Sequence, residues 1–158
     1  MLYYLLPQKE KAPQIRVLSS VWFPEGTWYD FFLDISYSGN TRLSVYREKE
    51  LIPAFAKEGA IIPLNSKVDP LGAELPELLE WHLFPEKSNV FHLIEDNEDG
   101  QRSVTSLEYD WIHGKVKLSI DDPKNVIPKN RQHKLIFHYT NQTSLLLENK
   151  DRSVDFNA

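Results

Sequence analysis

Cysteine is absent from this chain, so it has neither a disulfide framework nor a thiolate to offer a metal or a substrate. Positive charge is also short: 18 Lys and Arg stand against 23 Asp and Glu, for a formal net charge of -5. Binding nucleic acid or anionic membrane without specificity needs a basic surface, and this balance argues against both as partners. No apolar run approaches the roughly 20 residues of a membrane-spanning helix. The apolar opening Met1-Leu2-Tyr3-Tyr4-Leu5-Leu6-Pro7 lacks the basic leader, the length and the cleavage site of a signal peptide. It reads as a strand met immediately after Met1, as though the chain had been cut from a longer one or came from a split gene. These features suit the cytoplasm. At 158 residues the chain is too short for an α/β barrel of roughly 250.

Strand patterns fill the chain. Leu2–Leu6 and Arg16–Phe23 read as strands, and Phe23-Pro24-Glu25-Gly26 as a turn after which Thr27–Phe32 returns antiparallel. Ser38-Gly39-Asn40 is a further turn before a strand from Thr41 to Tyr46. Ile52–Ala56 and Ala60–Leu64 flank Lys57-Glu58-Gly59 as a hairpin would, with Pro53 and Pro63 restricted to edge or terminal positions. In the second half Leu79, Trp81 and Leu83 share one face, and Val116, Leu118 and Ile120 alternate with polar neighbours. Asn89–Glu95, Ser103–Tyr109, His133–Tyr139, Thr143–Leu147 and Ser153–Phe156 complete a set of short strands at sandwich spacing. No stretch carries a convincing helical period. The expected fold is all-β: two small antiparallel sandwich-like domains, 1–66 and 77–158, joined by a linker at 67–76.

The acidic run Glu95-Asp96-Asn97-Glu98-Asp99-Gly100 is the most suggestive polar feature. Glu95, Asn97, Asp99 and Gly100 follow the alternating ligands and turn glycine of an EF-hand loop, but Ser106 stands where its bidentate carboxylate belongs, and no helices flank it. Two readings stay open: a hairpin turn with solvated carboxylates, which Asp-Gly favours, and a weak Ca2+ site at Glu95, Asn97 and Asp99. A glycosidase acid and nucleophile pair would need an apolar wall that a polar hairpin lacks. His82, His92, His113, His133 and His138 are dispersed, and are expected on the solvent sides of strands without a metal. There is no Gly-x-Ser-x-Gly elbow and no phosphate loop. No catalytic constellation and no cofactor site are recognisable.

Aromatic side chains leave a second function open. Trp22, Trp28, Tyr29, Trp81, Tyr109 and Trp111 are the natural core of a small sandwich, yet any of them exposed would offer a flat face to a sugar ring. Trp22 and Trp28 flank one turn and are expected to pack across it. Trp111, beside Asp110, His113 and Gly114, is the candidate for an exposed platform.

The segments Val21-Trp22-Phe23-Pro24-Glu25-Gly26-Thr27-Trp28-Tyr29-Asp30-Phe31-Phe32 and Ile52-Pro53-Ala54-Phe55-Ala56-Lys57-Glu58-Gly59-Ala60-Ile61-Ile62-Pro63-Leu64 resemble the proximal C-terminal β-domain of glycoside hydrolase family 31, the α-glucosidase and α-xylosidase family. Trp81–Gly100 resembles the start of its distal C-terminal domain. Ile94 stands where an aromatic is common there, and Asn97-Glu98 interrupts a plainer Asp-Asp-Gly. The resemblance implies a parent that hydrolyses α-glycosidic bonds with retention through two barrel aspartates. No stretch here matches the motifs that carry them. It implies for this chain a non-catalytic, supporting role, with the missing (β/α)8 barrel as partner. The alternatives are a module that binds α-linked oligosaccharides and an oligomerisation domain, and a barrel-facing surface left bare would favour a weak homodimer in isolation.

Overall fold

The computed structural model describes residues 16–33, 35–48, 52–65, 67 and 74–157. Among these it contains thirteen strands and no helix, as the alternating patterns require. The chain divides into two compact units, Met1–Phe55 and Ala56–Ala158. The expected strand Leu2–Leu6 lies outside the described residues, as does most of the expected linker at 67–76. The division falls after Phe55, earlier than the prolines of that linker suggested.

In the first unit β1 (Arg16–Phe23), β2 (Thr27–Asp30), β3 (Ser36–Ser38) and β4 (Thr41–Glu48) form two antiparallel pairs. The pairing corrects the expectation: β1 does not fold back on β2. It pairs with β4 in the register Val21↔Leu43, while β2 pairs with β3 through Trp28↔Tyr37. Two contacts of Gly39 explain the choice. Gly39 donates its N–H to the Gly26 carbonyl at 2.8 Å, and a Cβ on Gly39 would stand 2.0 Å from the Pro24 oxygen, so only glycine lets the two turns touch. That contact brings the end of β3 back to the end of β1 and starts β4 alongside it. Phe23, buried at the end of β1, stacks on Tyr37 at 4.9 Å and meets Phe55 edge-on at 4.9 Å. These three rings and Trp28, 6.1 Å from Phe23, make the apolar centre of the unit.

The strand β5 (Phe55–Lys57) holds the point of division. The second unit is built from β6 (Ile61–Asn65), β7 (Leu78–Leu83), β8 (Asn89–Asp96), β9 (Arg102–Asp110), β10 (Lys115–Asp121), β11 (Gln132–Phe137), β12 (Ser144–Glu148) and β13 (Arg152–Asp155). They form two four-stranded sheets, ordered β13-β10-β9-β8 and β12-β11-β7-β6. The hairpin expected around Lys57-Glu58-Gly59 is reduced to its turn, where Ala60 N–H donates to Lys57 C=O at 3.0 Å. Instead of pairing with β5, β6 pairs with β7, as an edge strand that tolerates Pro63. Gly59, at φ 70°, fits beneath the turn that follows β7: its N–H donates to Pro85 C=O at 2.9 Å, and a Cβ would meet the Lys87 carbonyl oxygen at 2.6 Å.

Inward residues of both sheets form one core. Ile61, Leu79, Trp81, Leu83, Leu135 and Phe137 come from one sheet, Leu107, Tyr109, Val116 and Leu118 from the other, and Phe156 closes one end. Burial of each large side chain is worth about 1.5–3 kcal/mol, enough to make this packing the main source of the unit's stability. The second sheet is not wholly antiparallel, because β11 runs parallel to β7 with Trp81 beside Leu135. Sequence spacing carries no trace of that long crossover.

Candidate functional site

The side chains expected to carry chemistry divide into those drawn into the scaffold and those left on its surface. Trp81 is fully buried, and Tyr29 and Tyr109 nearly so, so none of the three offers a face to a ligand. Trp28 is likewise engaged: its Nε1–H donates to Pro24 C=O at 2.8 Å and its ring lies against Phe23, whereas Trp22 points out of β1, half exposed, opposite Arg42. The expected packing of Trp22 on Trp28 is therefore replaced by Trp28 on Phe23, since alternate residues of β1 face opposite sides.

Trp111 lies in the turn between β9 and β10. Its backbone N–H donates to Ser88 Oγ at 3.0 Å, and its ring is partly buried against Tyr109 (6.2 Å) and Phe156 (5.9 Å). The same turn is fixed by Asp110, which accepts from His113 Nδ1 at 2.7 Å and from the His113 N–H at 3.2 Å. That imidazole holds the Asp110 carboxyl below its ordinary value. Ile112, not Trp111, is the most exposed residue of this corner.

The acidic loop is a turn held by an asparagine. Asn97 Oδ1 accepts from the Gln101 N–H at 2.9 Å, and Gly100, at φ 70°, donates to Asn97 C=O at 2.9 Å. Glu95 departs from the solvated picture. It is an inward position of β8 whose Oε2 accepts from Arg131 Nη1 at 2.5 Å, in a pair with side chains 8% and 0% exposed. Asp99 stays exposed at the tip. Glu95, Asn97 and Asp99 are thus not gathered around a common point, and among the described residues no group of three His, Asp or Glu side chains is placed to hold a metal.

Two histidines overturn the expectation of solvent-side placement. His133 is fully buried in β11, where Nδ1 accepts from Trp81 Nε1 at 3.1 Å and Nε2 lies 2.9 Å from Asn149 Oδ1. The indole can only donate, so the proton of neutral His133 sits on Nε2. His82 is nearly buried, with Nδ1 2.8 Å from His138 Nε2, and His138 stacks in turn on Phe84 at 4.3 Å. Burial lowers the pKa of both His82 and His133, against the opposing pull of Glu80 on the first and of the Asn149 hydrogen bond on the second. The signal for His133 was present in the sequence: it shares the parity of Leu135 and Phe137, both core residues.

This sets a pH dependence. A histidine with a lowered folded pKa lets the unfolded chain bind more protons, so its stabilising contribution is complete above the unfolded value of about 6.5 and is lost as pH falls toward the folded one. Protonating His133 also turns Nδ1 into a donor facing the Trp81 N–H. Urea unfolding of the second unit should weaken between pH 7 and 5 by up to about 1.4 kcal/mol per pH unit for each titrating histidine. His133→Gln should flatten the profile while lowering stability at pH 7. An unchanged wild-type midpoint over that range would rule this out.

The family described as "Glycosyl hydrolase family 31 C-terminal domain" matches residues 9–62. An α-xylosidase of Saccharolobus solfataricus is 27% identical over 136 residues, which is 82% of this chain and 18% of that protein. The fold is similar to that of a family 31 α-xylosidase from Xanthomonas citri, with a TM-score of 0.67 and 20% identity over 87% of this chain and 17% of that one. A family 31 dextranase from Flavobacterium johnsoniae, in complex with isomaltotriose, gives a TM-score of 0.64 and 23% identity over 80% of this chain and 17% of its own. The match to the family 31 C-terminal domain is confined to residues 9–62, the likeness to the solved structures is one of fold, and the chain spans less than a fifth of the length of these relatives.

Proposed function

We propose that this chain is the non-catalytic C-terminal region of a retaining, α-glucosidase-like glycosidase, and that its β-modules brace a catalytic barrel carried elsewhere in the polypeptide. The observation that carries this reading is the use made of the matched segment. Trp28 is tied to Pro24 and Phe23, Asp30 to Arg47, and Phe55 to Phe23 and Tyr37, so these described residues, which distinguish the segment, are committed to packing. The names of the relatives, α-xylosidase and dextranase, support an α-linked substrate for the parent and leave the sugar itself to experiment. Assay of the purified chain with aryl α-glucosides, aryl α-xylosides and dextran should give no turnover above the blank. Hydrolysis that copurifies with the chain would overturn the reading.

A further inference from the structure

In the second unit the inward face of β9 changes character along its length. Tyr109 and Leu107 are large core residues, while Thr105 and Ser103, 0% and 1% exposed, put small hydroxylated side chains at the next two inward positions. Ser103 is the cross-strand partner of Glu95, and Thr105 lies between Leu93 of β8 and Ile120 of β10. Glu95 in turn holds Arg131, whose side chain is fully buried. Three polar atoms at this end, Ser103 Oγ, Thr105 Oγ1 and Arg131 Nη2, are buried without a hydrogen-bond partner among the described residues. Native interiors leave few such atoms, because a buried donor or acceptor in that condition forfeits its hydration and receives nothing in exchange. The Tyr109 hydroxyl shares the condition but belongs elsewhere, four residues and about 13 Å further along β9.

We infer that this end of the sandwich is an internal water site, in which ordered water joins the Arg131 guanidinium to the Ser103 and Thr105 hydroxyls. The grouping fits in number: a buried water makes about three hydrogen bonds to polar groups otherwise unsatisfied. The spacing fits as well. Cα atoms two residues apart on a strand are separated by about 7 Å, and one water between two bonds of about 2.8 Å spans most of that distance. The small side chains at 103 and 105 make room, since neither reaches as far across the core as Leu107 does.

Charge selects water over an ion. Glu95 already balances Arg131, so an anion would set a second negative charge against one guanidinium. A cation would meet that guanidinium with only two hydroxyl oxygens to ligate it. Water accepts from Nη2–H and either donates to or accepts from each hydroxyl, which satisfies all three groups at once. It thereby links β9 of one sheet to Arg131, just before β11 of the other. All three atoms are buried within this chain, so the inference does not depend on what covers its outer surface. It goes beyond the accessory reading and does not rest on it.

The test combines a crystal structure of the whole chain, at a resolution that orders water, with urea unfolding of Thr105→Val and Ser103→Ala. A water peak is expected within about 3.2 Å of Arg131 Nη2 and of at least one of the two hydroxyls. Thr105→Val keeps the side chain's shape and removes its hydroxyl, so the sign of its effect is diagnostic. If water bonds the hydroxyl, the variant leaves that water a partner short and the urea midpoint falls. If the hydroxyl is dry, the variant removes an unpaired polar group and the midpoint rises. Both variants are expected to fall. An ion in place of water, Ser103 Oγ bonded directly to Glu95 with the site dry, or a midpoint raised or unchanged in Thr105→Val would each overturn the inference. None of these outcomes bears on turnover by the chain, so the accessory reading stands or falls separately.

Discussion

Asp30→Ala is expected to destabilise the first unit by about 3–5 kcal/mol, the cost of leaving a buried cation without its counter-charge. Asp30 is the last residue of β2 and does three things at once. Its Oδ1 accepts from the Phe32 and Leu33 N–H groups at 3.0 Å each, which closes the turn after β2, and its Oδ2 receives Arg47 Nη2 from β4. Both partners are nearly inaccessible to water, with side chains 7% and 0% exposed for Arg47 and Asp30. Removing the carboxylate strands the guanidinium under Phe55, whose ring centre lies 6.0 Å away, and frees two backbone donors. Whole domains are stable by only about 5–15 kcal/mol, so such a loss unfolds most of a small unit. Asp30→Asn should cost less, about 1.5–3 kcal/mol, because a neutral amide oxygen still closes the turn. Asp30→Ala combined with Arg47→Met should recover part of the loss, since no buried charge remains. Urea unfolding followed by Trp28 fluorescence separates these outcomes, and a loss below about 1 kcal/mol for Asp30→Ala would mean that the pair is solvated and contributes like a surface bridge.

Arg47 was not legible as the partner of Asp30, and the reason is general to this fold. Strand positions follow from alternation within a few residues: Arg16–Phe23 coincides with β1, and Leu79, Trp81 and Leu83 are core residues as their parity requires. Strand pairing depends on residues far apart. A tight turn after Phe23 suggested a local hairpin, but the chain satisfies its backbone through β4, because Gly39 permits two turns to touch where any side chain would collide with the Pro24 carbonyl. The parallel pairing of β11 with β7 is equally invisible, as it is fixed by how the two faces of the sandwich fill with Trp81, Leu135 and Phe137. Burial of polar residues lay between these extremes. His133 could have been placed inside by the parity it shares with Leu135. Glu95 could not, since its acidic neighbours read as a solvated run and its partner Arg131 lies 36 residues away. Trp22 and Tyr46 are the converse case: apolar by type, they are exposed because they alternate along β1 and β4 with the buried Phe23, Val45 and Arg47.

Glu95→Ala should destabilise the second unit by a comparable about 3–5 kcal/mol, and the same residue decides between the two readings of the acidic loop. Arg131 enters the interior completely, donating Nε–H to Pro76 C=O at 2.7 Å and Nη1–H to Glu95. Its backbone N–H is bound to Pro128 C=O at 3.0 Å, just before β11 begins, so the guanidinium cannot follow a retreating partner far toward water. With Glu95 gone the charge stays buried, whereas Arg131→Leu removes charge and demand together and should cost the unit less than Glu95→Ala does, once Glu95 turns outward from the end of β8. A Ca2+ site would behave in the opposite manner. If Glu95 ligated a cation with Asn97 and Asp99, Asp99→Asn would weaken the unit in millimolar Ca2+ and a chelator would lower the wild-type melting temperature. The ion-pair geometry gives the contrary expectation: no effect of chelator, no effect of Asp99→Asn at the exposed tip, and a large loss in Glu95→Ala whether or not Ca2+ is present. A chelator-sensitive wild type would require Glu95 to leave Arg131, and with it the account of why an acidic residue occupies an inward position of β8.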